Sequence, residues 1–207
     1  MDMDASHSPA ARRPTIVGLG GTTRSDSTTE RALAVALRAA EAVGASTMLL
    51  GGEFLATLPI FDPRPTGPTA EQTRLVEAIA QADGVIIATP GYHGSISGVV
   101  KNALDTLELA RTEARPYLSG IAVGTIVTAA GPQAAGTCLV TLRTIVHALR
   151  GWPTPFGATL NSATALFDDG GSCRDDKDES QLNIVAGQVV EFAQMRAALR
   201  RQTSLAH

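Results

Sequence analysis

Gly84-Val-Ile-Ile-Ala-Thr89 is an unbroken apolar run, rich in β-branched residues and without polar alternation. A strand with both faces buried reads this way, and such strands belong to parallel sheets covered by helices. Thr15-Ile-Val-Gly-Leu19 and Ile121 to Thr128 have the same character. Segments with helical spacing alternate with them: Ala32, Leu33, Ala36, Leu37 and Ala40; Leu75, Val76, Ile79 and Ala80; Val100, Ala103, Leu104 and Leu107; Leu139, Leu142, Val146 and Leu149. Strand, helix, strand in repetition, with right-handed crossovers, gives a doubly wound sheet with helices on both sides.

Ser46 to Leu50 adds a short strand. Trp152 to Leu160 is a last candidate, and Pro153 and Pro155 confine it to a sheet edge because proline cannot donate to the ladder. The expected architecture is α/β: three layers around a five-stranded parallel sheet of order 2-1-3-4-5. Gly44 is a plausible stop for the first helix. Glu53 to Pro68, with four prolines, reads as a long irregular loop, and Thr69-x-x-Gln72 as a capping box for the next helix. Pro90-Gly91 ends the third strand, and a helix opens at Ser95 or Ser97. Phe167 to Gly171 is a turn. Acids from Asp175 to Glu179 open a final helix with Leu182, Val185, Val189, Phe192 and Leu199 inward, and Arg196, Arg200 and Arg201 suit its negative end.

The length of 207 residues fits one domain, placed at 14–202 between tails at 1–13 and 203–207. A net charge of −3 with scattered arginines argues against a nucleic-acid surface. No apolar run reaches the roughly 20 residues of a membrane span, and residues 1–13 lack the apolar core of a secretory signal. Cys138 and Cys173 are widely spaced single thiols, which fits a reducing cytoplasm. His147, alone on its helix, reads as structural.

Three loops carry the chemistry. After the first strand, Gly20-Gly21 leads into Thr22-Thr23-Arg24-Ser25-Asp26-Ser27-Thr28-Thr29-Glu30, just before a helix. Free backbone amides, the helix dipole, hydroxyls and Arg24 together favour an anion. Ser27 and Glu30 also fit a capping box, which accounts for those two residues and not for Arg24 beside five further hydroxyls. The dinucleotide fingerprint lacks its third glycine, since Gly18 and Gly20 are followed by Thr23, and no Gly-Lys-Ser/Thr occurs. A terminal monophosphate is what remains. The second loop is Pro90-Gly-Tyr-His-Gly-Ser95 and the third runs from Ala129 to Gly136. In the expected strand order all three converge at the switch point, where open α/β sheets bind ligands. Neither a nucleophile elbow nor metal-ligand spacing is present, which disfavours a hydrolase on the same fold.

These loops resemble the NADPH-dependent FMN reductase family of flavodoxin-like proteins. That family's phosphate loop reads Gly-Ser-x-Arg-x-x-Ser-x-Asn/Thr, and Gly21-Thr-Thr-Arg-Ser-Asp-Ser-Thr-Thr29 matches it with Thr22 in place of serine. Its second motif, Pro-x-Tyr-Asn-x-Ser-x-x-Gly-x-x-Lys-Asn-x-Leu-Asp, matches through Pro90, Tyr92, Ser95, Gly98, Lys101, Asn102, Leu104 and Asp105, with His93 in place of asparagine. The Gly-Gly-x-x-Gly loop is matched more loosely by 130–136.

The resemblance implies that Thr22, Arg24, Ser27 and Thr29 hold the FMN phosphate. Pro90, Tyr92, His93, Gly94 and Ser95 would line the isoalloxazine, with Gly131 flanking its other end. It implies hydride transfer from NADPH or NADH to FMN without a catalytic acid or base and without a metal. It also implies a homodimer or homotetramer in which the helix from Gly98 takes part. Reduced FMN would go to a monooxygenase partner, or bound FMN would reduce a quinone, azo dye or metal oxyanion. A flavodoxin-like electron carrier without turnover is the alternative from another class.

Overall fold

The structure is a computed structural model and describes residues 12–64 and 67–205. In chain order the elements are β1 (Thr15–Gly20), α1 (Thr28–Ala42), β2 (Ser46–Leu50), α2 (Gly52–Thr57), α3 (Ala70–Gln81), β3 (Gly84–Tyr92) and β4 (Ser95–Ile96). There follow α4 (Gly98–Thr106), a 3₁₀ turn (Leu107–Ala110), β5 (Ala122–Ala129), α5 (Pro132–Ala148), β6 (Trp152–Pro153), β7 (Ala158–Asn161) and α6 (Asp176–Leu205).

The sheet order is β2-β1-β3-β5, with β6 and then β7 along the outer edge of β5. All these pairings are parallel; among the described strands only β4 is antiparallel, to β3. Counted as one broken strand, β6 and β7 complete the flavodoxin-like order 2-1-3-4-5. The break at 154–157 corrects the continuous strand expected over 152–160. Pro155 removes a donor there, and side chains satisfy the backbone instead. Gln188 of α6 accepts the Phe156 N–H at 3.0 Å, and Arg143 of α5 donates to the Thr154 carbonyl at 2.6 Å.

Successive residues of each central strand feed two cores. Val85, Ile87, Val123 and Val127 pack with α3, α4 and α5, whereas Ile86, Ala88 and Ile126 pack with α1 and α6. Gly124 lets α6 settle on the sheet, because a Cβ there would stand 2.5 Å from Val185.

Several sequence expectations need correction. The segment from Glu53 to Pro68 is not wholly irregular: α2 occupies its start. The α3 face is rotated, with Leu75, Ala78 and Ile79 buried and Ala80 exposed. β3 runs past Pro90 to Tyr92, since β1 ends beside Ala88 and leaves on that edge no strand carbonyl that needs the N–H Pro90 lacks. α6 runs to Leu205, and Leu199, expected on its inward side, is 54% exposed. Residues 1–11 of the expected tail lie outside the described residues. Arg12 is held by both oxygens of Asp83 at 2.8 and 2.9 Å. Separately from these corrections, Asn102 and Lys101 have partners within the chain. Asn102 accepts from Phe61 N and donates to Pro59 O, and Lys101 pairs with Asp105.

Candidate functional site

Strand register brings the three loops to one end of the sheet. Gly20 lies beside Ala88, Pro90 beside Thr128, and Ala129 beside Asn161. At the start of the first loop Gly20 has φ 153° and a Cβ on it would stand 2.0 Å from the Ala88 carbonyl oxygen. No side chain fits there. The Gly21 N–H donates to that same oxygen at 3.2 Å. Thr22 closes a tight turn by accepting from the Arg24 N–H at 3.1 Å.

Asp26 has φ 56° and is gripped at both carboxylate oxygens by Nε and Nη2 of Arg31, whose Nη1 also donates to the Asp168 carbonyl at 3.3 Å. This hydrogen-bonded guanidinium lowers the Asp26 carboxyl from its ordinary value. Ser27 is the N-cap of α1, accepting from Glu30 N at 3.3 Å. The capping box expected at Ser27 and Glu30 is only half formed. The Glu30 carboxylate instead accepts the Gly52 N–H at 2.6 Å and ties α1 to the start of α2.

The predicted phosphate residues are therefore adjacent but not equivalent. Thr22 is half-buried and Arg24 exposed, and Arg24 enters no salt bridge among the described residues. Thr29 is only 2% exposed, and its hydroxyl lies 2.6 Å from that of Thr128. Its side chain points into the sheet, so it meets the loop through its backbone. As the first two residues of α1, Thr28 and Thr29 carry amides with no intrahelical acceptor.

The second loop is a hairpin. Tyr92 pairs with Ser95 across a two-residue turn in which His93 (φ 52°) and Gly94 (φ 80°) are both left-handed, as a type I′ turn requires. Pro90 is buried, while Tyr92, His93 and Ser95 are exposed. Beneath them the fully buried Thr89 hydroxyl accepts from Ser97 N at 3.0 Å and donates to Pro90 O at 3.0 Å. Ser97 then caps α4, which settles its start.

In the third loop Gly131 precedes Pro132, the first residue of α5. Beside them is a depression of about 250 Å³ floored by Ala129, Ala135 and Leu160 and rimmed by Thr159 and Asn161. A Cβ on Gly94, Gly98 or Gly131 would meet nothing within 4 Å, so space lies open along these loops. A separate groove of about 580 Å³ runs along 59–64, Leu109 and Arg111, where the arginines face acids: Arg64 pairs with Asp62 and Arg111 with Glu108. It adds no net positive charge.

Donors without acceptors at one end, open apolar space and backbone amides at the other: this set fits a flat ring carrying one phosphate. Among the described residues no group of three His, Cys, Asp or Glu side chains could hold a metal. The NADPH-dependent FMN reductase family pattern matches residues 14–165. The chain belongs to that family. As a member it is an oxidoreductase with FMN and NAD(P)H as cofactors.

An FMN-dependent NADPH-azoreductase of Staphylococcus haemolyticus (strain JCSC1435) is 34% identical over 143 residues, 68% of this chain and 70% of that protein. The protein of that description in Staphylococcus aureus (strain USA300) is 35% identical over 57% of this chain and 60% of its own length, less than two thirds. Among solved structures, the flavoenzyme NAD(P)H:(acceptor) oxidoreductase FerB from Paracoccus denitrificans superimposes with a TM-score of 0.74 at 21% identity, over 88% of this chain and 98% of that one. The NADH:FMN oxidoreductase EMOB does so with a TM-score of 0.65 at 24% identity, over 88% and 89%. At these identities the two structures speak to the fold.

Sequence reasoning about this family member missed Thr89, Thr128 and Asn161. The two threonines sit inside β-branched runs where a hydroxyl looks like another strand former. Asn161 is the last residue of β7, one position beyond the strand end read from the sequence at Leu160.

Proposed function

We propose that this reductase binds FMN across the three loops and uses it to reduce an aromatic azo or quinone acceptor with NAD(P)H. What supports the reading is that Arg24, the Thr28 and Thr29 amides and the Ser27 and Thr22 hydroxyls follow one another in the short segment that joins β1 to the first turn of α1. These would hold the phosphate. Pro90 to Ser95 and Gly131 would line the ring, the hairpin backbone supplying donors and Tyr92 an apolar wall. Thr29 takes part through its amide. FMN held there would supply the redox chemistry between NAD(P)H and the acceptor. The chain's own work is orientation: Gly20, Thr89 and the Asp26–Arg31 pair keep donors fixed before the ligand arrives. The exposed hairpin tip leaves room for nicotinamide and acceptor to approach in turn.

The azoreductase description of the relative at 34% identity supports this acceptor class. Delivery of reduced FMN to a monooxygenase is the competing arrangement. The two differ in whether FMN stays with the protein through gel filtration and whether kinetics are ping-pong. A homodimer or homotetramer, and a cytoplasmic setting consistent with the two free thiols, complete the proposal.

Anaerobic mixing with NADPH and FMN tests the enzyme against a non-turning electron carrier. Bleaching of the flavin colour is expected, and its absence removes the reading. Arg24→Ala should weaken FMN about tenfold or more and leave riboflavin binding nearly unchanged, because one charge-assisted contact to phosphate is lost. Fluorescence titration measures both.

A further inference from the structure

Thr29 and Thr128 lie 99 positions apart in the chain, are each 2% exposed, and place their hydroxyl oxygens 2.6 Å apart. A hydroxyl buried without a partner is costly, so each side chain fixes the position of the other. The first loop has other ties. Gly21 N bonds Ala88 O of β3, Glu30 bonds Gly52 of α2, and Arg31 reaches Asp168 O. Among the described residues the threonine pair is the one hydrogen bond between segment 20–31 and β5, which carries Gly131 at its end. In the sheet β3 separates β1 from β5, so the pair links α1 to a strand that β1 does not adjoin.

We infer that Thr128 is a positioning residue for the phosphate end of the site. Through Thr29 it holds the first turn of α1 at the distance from the Gly131 loop that a single ligand can span. This rests on the FMN reading above. Gly131 keeps its own anchor, since Ala135 N donates to its carbonyl at 3.0 Å. Loss of the tie therefore loosens α1 more than it loosens the ring end.

The test is titration of apoprotein with FMN and, separately, with riboflavin, which lacks the phosphate. Thr128→Val keeps the shape and removes the hydroxyl; it should weaken FMN about tenfold while riboflavin changes by less than about twofold. Thr128→Ser restores the hydroxyl and should recover FMN affinity. Equal loss for both flavins, or undiminished FMN binding, would overturn the inference. Should Thr128→Val fail to fold, Thr29→Val breaks the same pair from the helix side and must show the same phosphate-selective loss. Wild-type protein that binds neither flavin would instead refute the FMN reading itself, a result distinct from equal loss.

Discussion

His93 shows how much one backbone angle decides at the residue scale. Its φ of 52° lies in the left-handed region, which asparagine, aspartate and histidine enter more readily than other non-glycine residues. That gives the substitution of His93 for the family's common asparagine a conformational reason, independent of any chemistry by the imidazole. His93→Asn should keep the hairpin and change flavin affinity by less than about twofold. His93→Val, β-branched at a left-handed position, should destabilise the protein by about 1–2 kcal/mol in urea unfolding and weaken flavin binding. Comparable FMN affinity in all three proteins would show that the turn does not shape the site.

At the scale of elements, two similar four-residue patterns behave differently. Thr69 and Gln72 form a complete capping box at α3, as their spacing predicts. Ser27 and Glu30 have the same spacing, but the Glu30 carboxylate finds the Gly52 N–H 22 positions away and leaves the box half made. Local spacing specified the first cap; a long-range donor overrode it at the second. The α4 cap belongs to this scale too. Ser97 accepts from Val100 N and its own N–H reaches Thr89, so Ser97→Ala should cost about 1 kcal/mol of stability in urea unfolding, with an effect on flavin binding through the hairpin. An unchanged unfolding midpoint would mean that the cap is dispensable.

For the molecule as a whole, a titrating group in the core reports on global unfolding. Burial pushes the Cys138 thiol up from 9.0 to about 11, and the side chain is fully buried beneath Gly91. The neutral thiol is thus favoured by the fold. Its contribution is complete below pH 9 and is lost as pH rises through about 11. Cys173 and Tyr117 shift in the same direction, so the comparison that isolates the group is wild type against Cys138→Ala. The variant should lose less stability over that window. Parallel losses in both proteins would reject the assignment.

The sequence by itself determined the layered α/β class, the central strands, the α1 and α4 faces and the three loops at one end. Unbroken apolar runs and helical spacing are local signals, and each admits one kind of burial. Only the tertiary structure decided that the edge strand breaks in two, that Pro90 stays within β3, that Glu30 serves α2, and that Thr29 turns away from the loop to meet Thr128. Each depends on a partner far along the chain. A hydroxyl or carboxylate has several possible partners in sequence, and the one it takes is settled by which atoms the folded sheet brings within 3 Å.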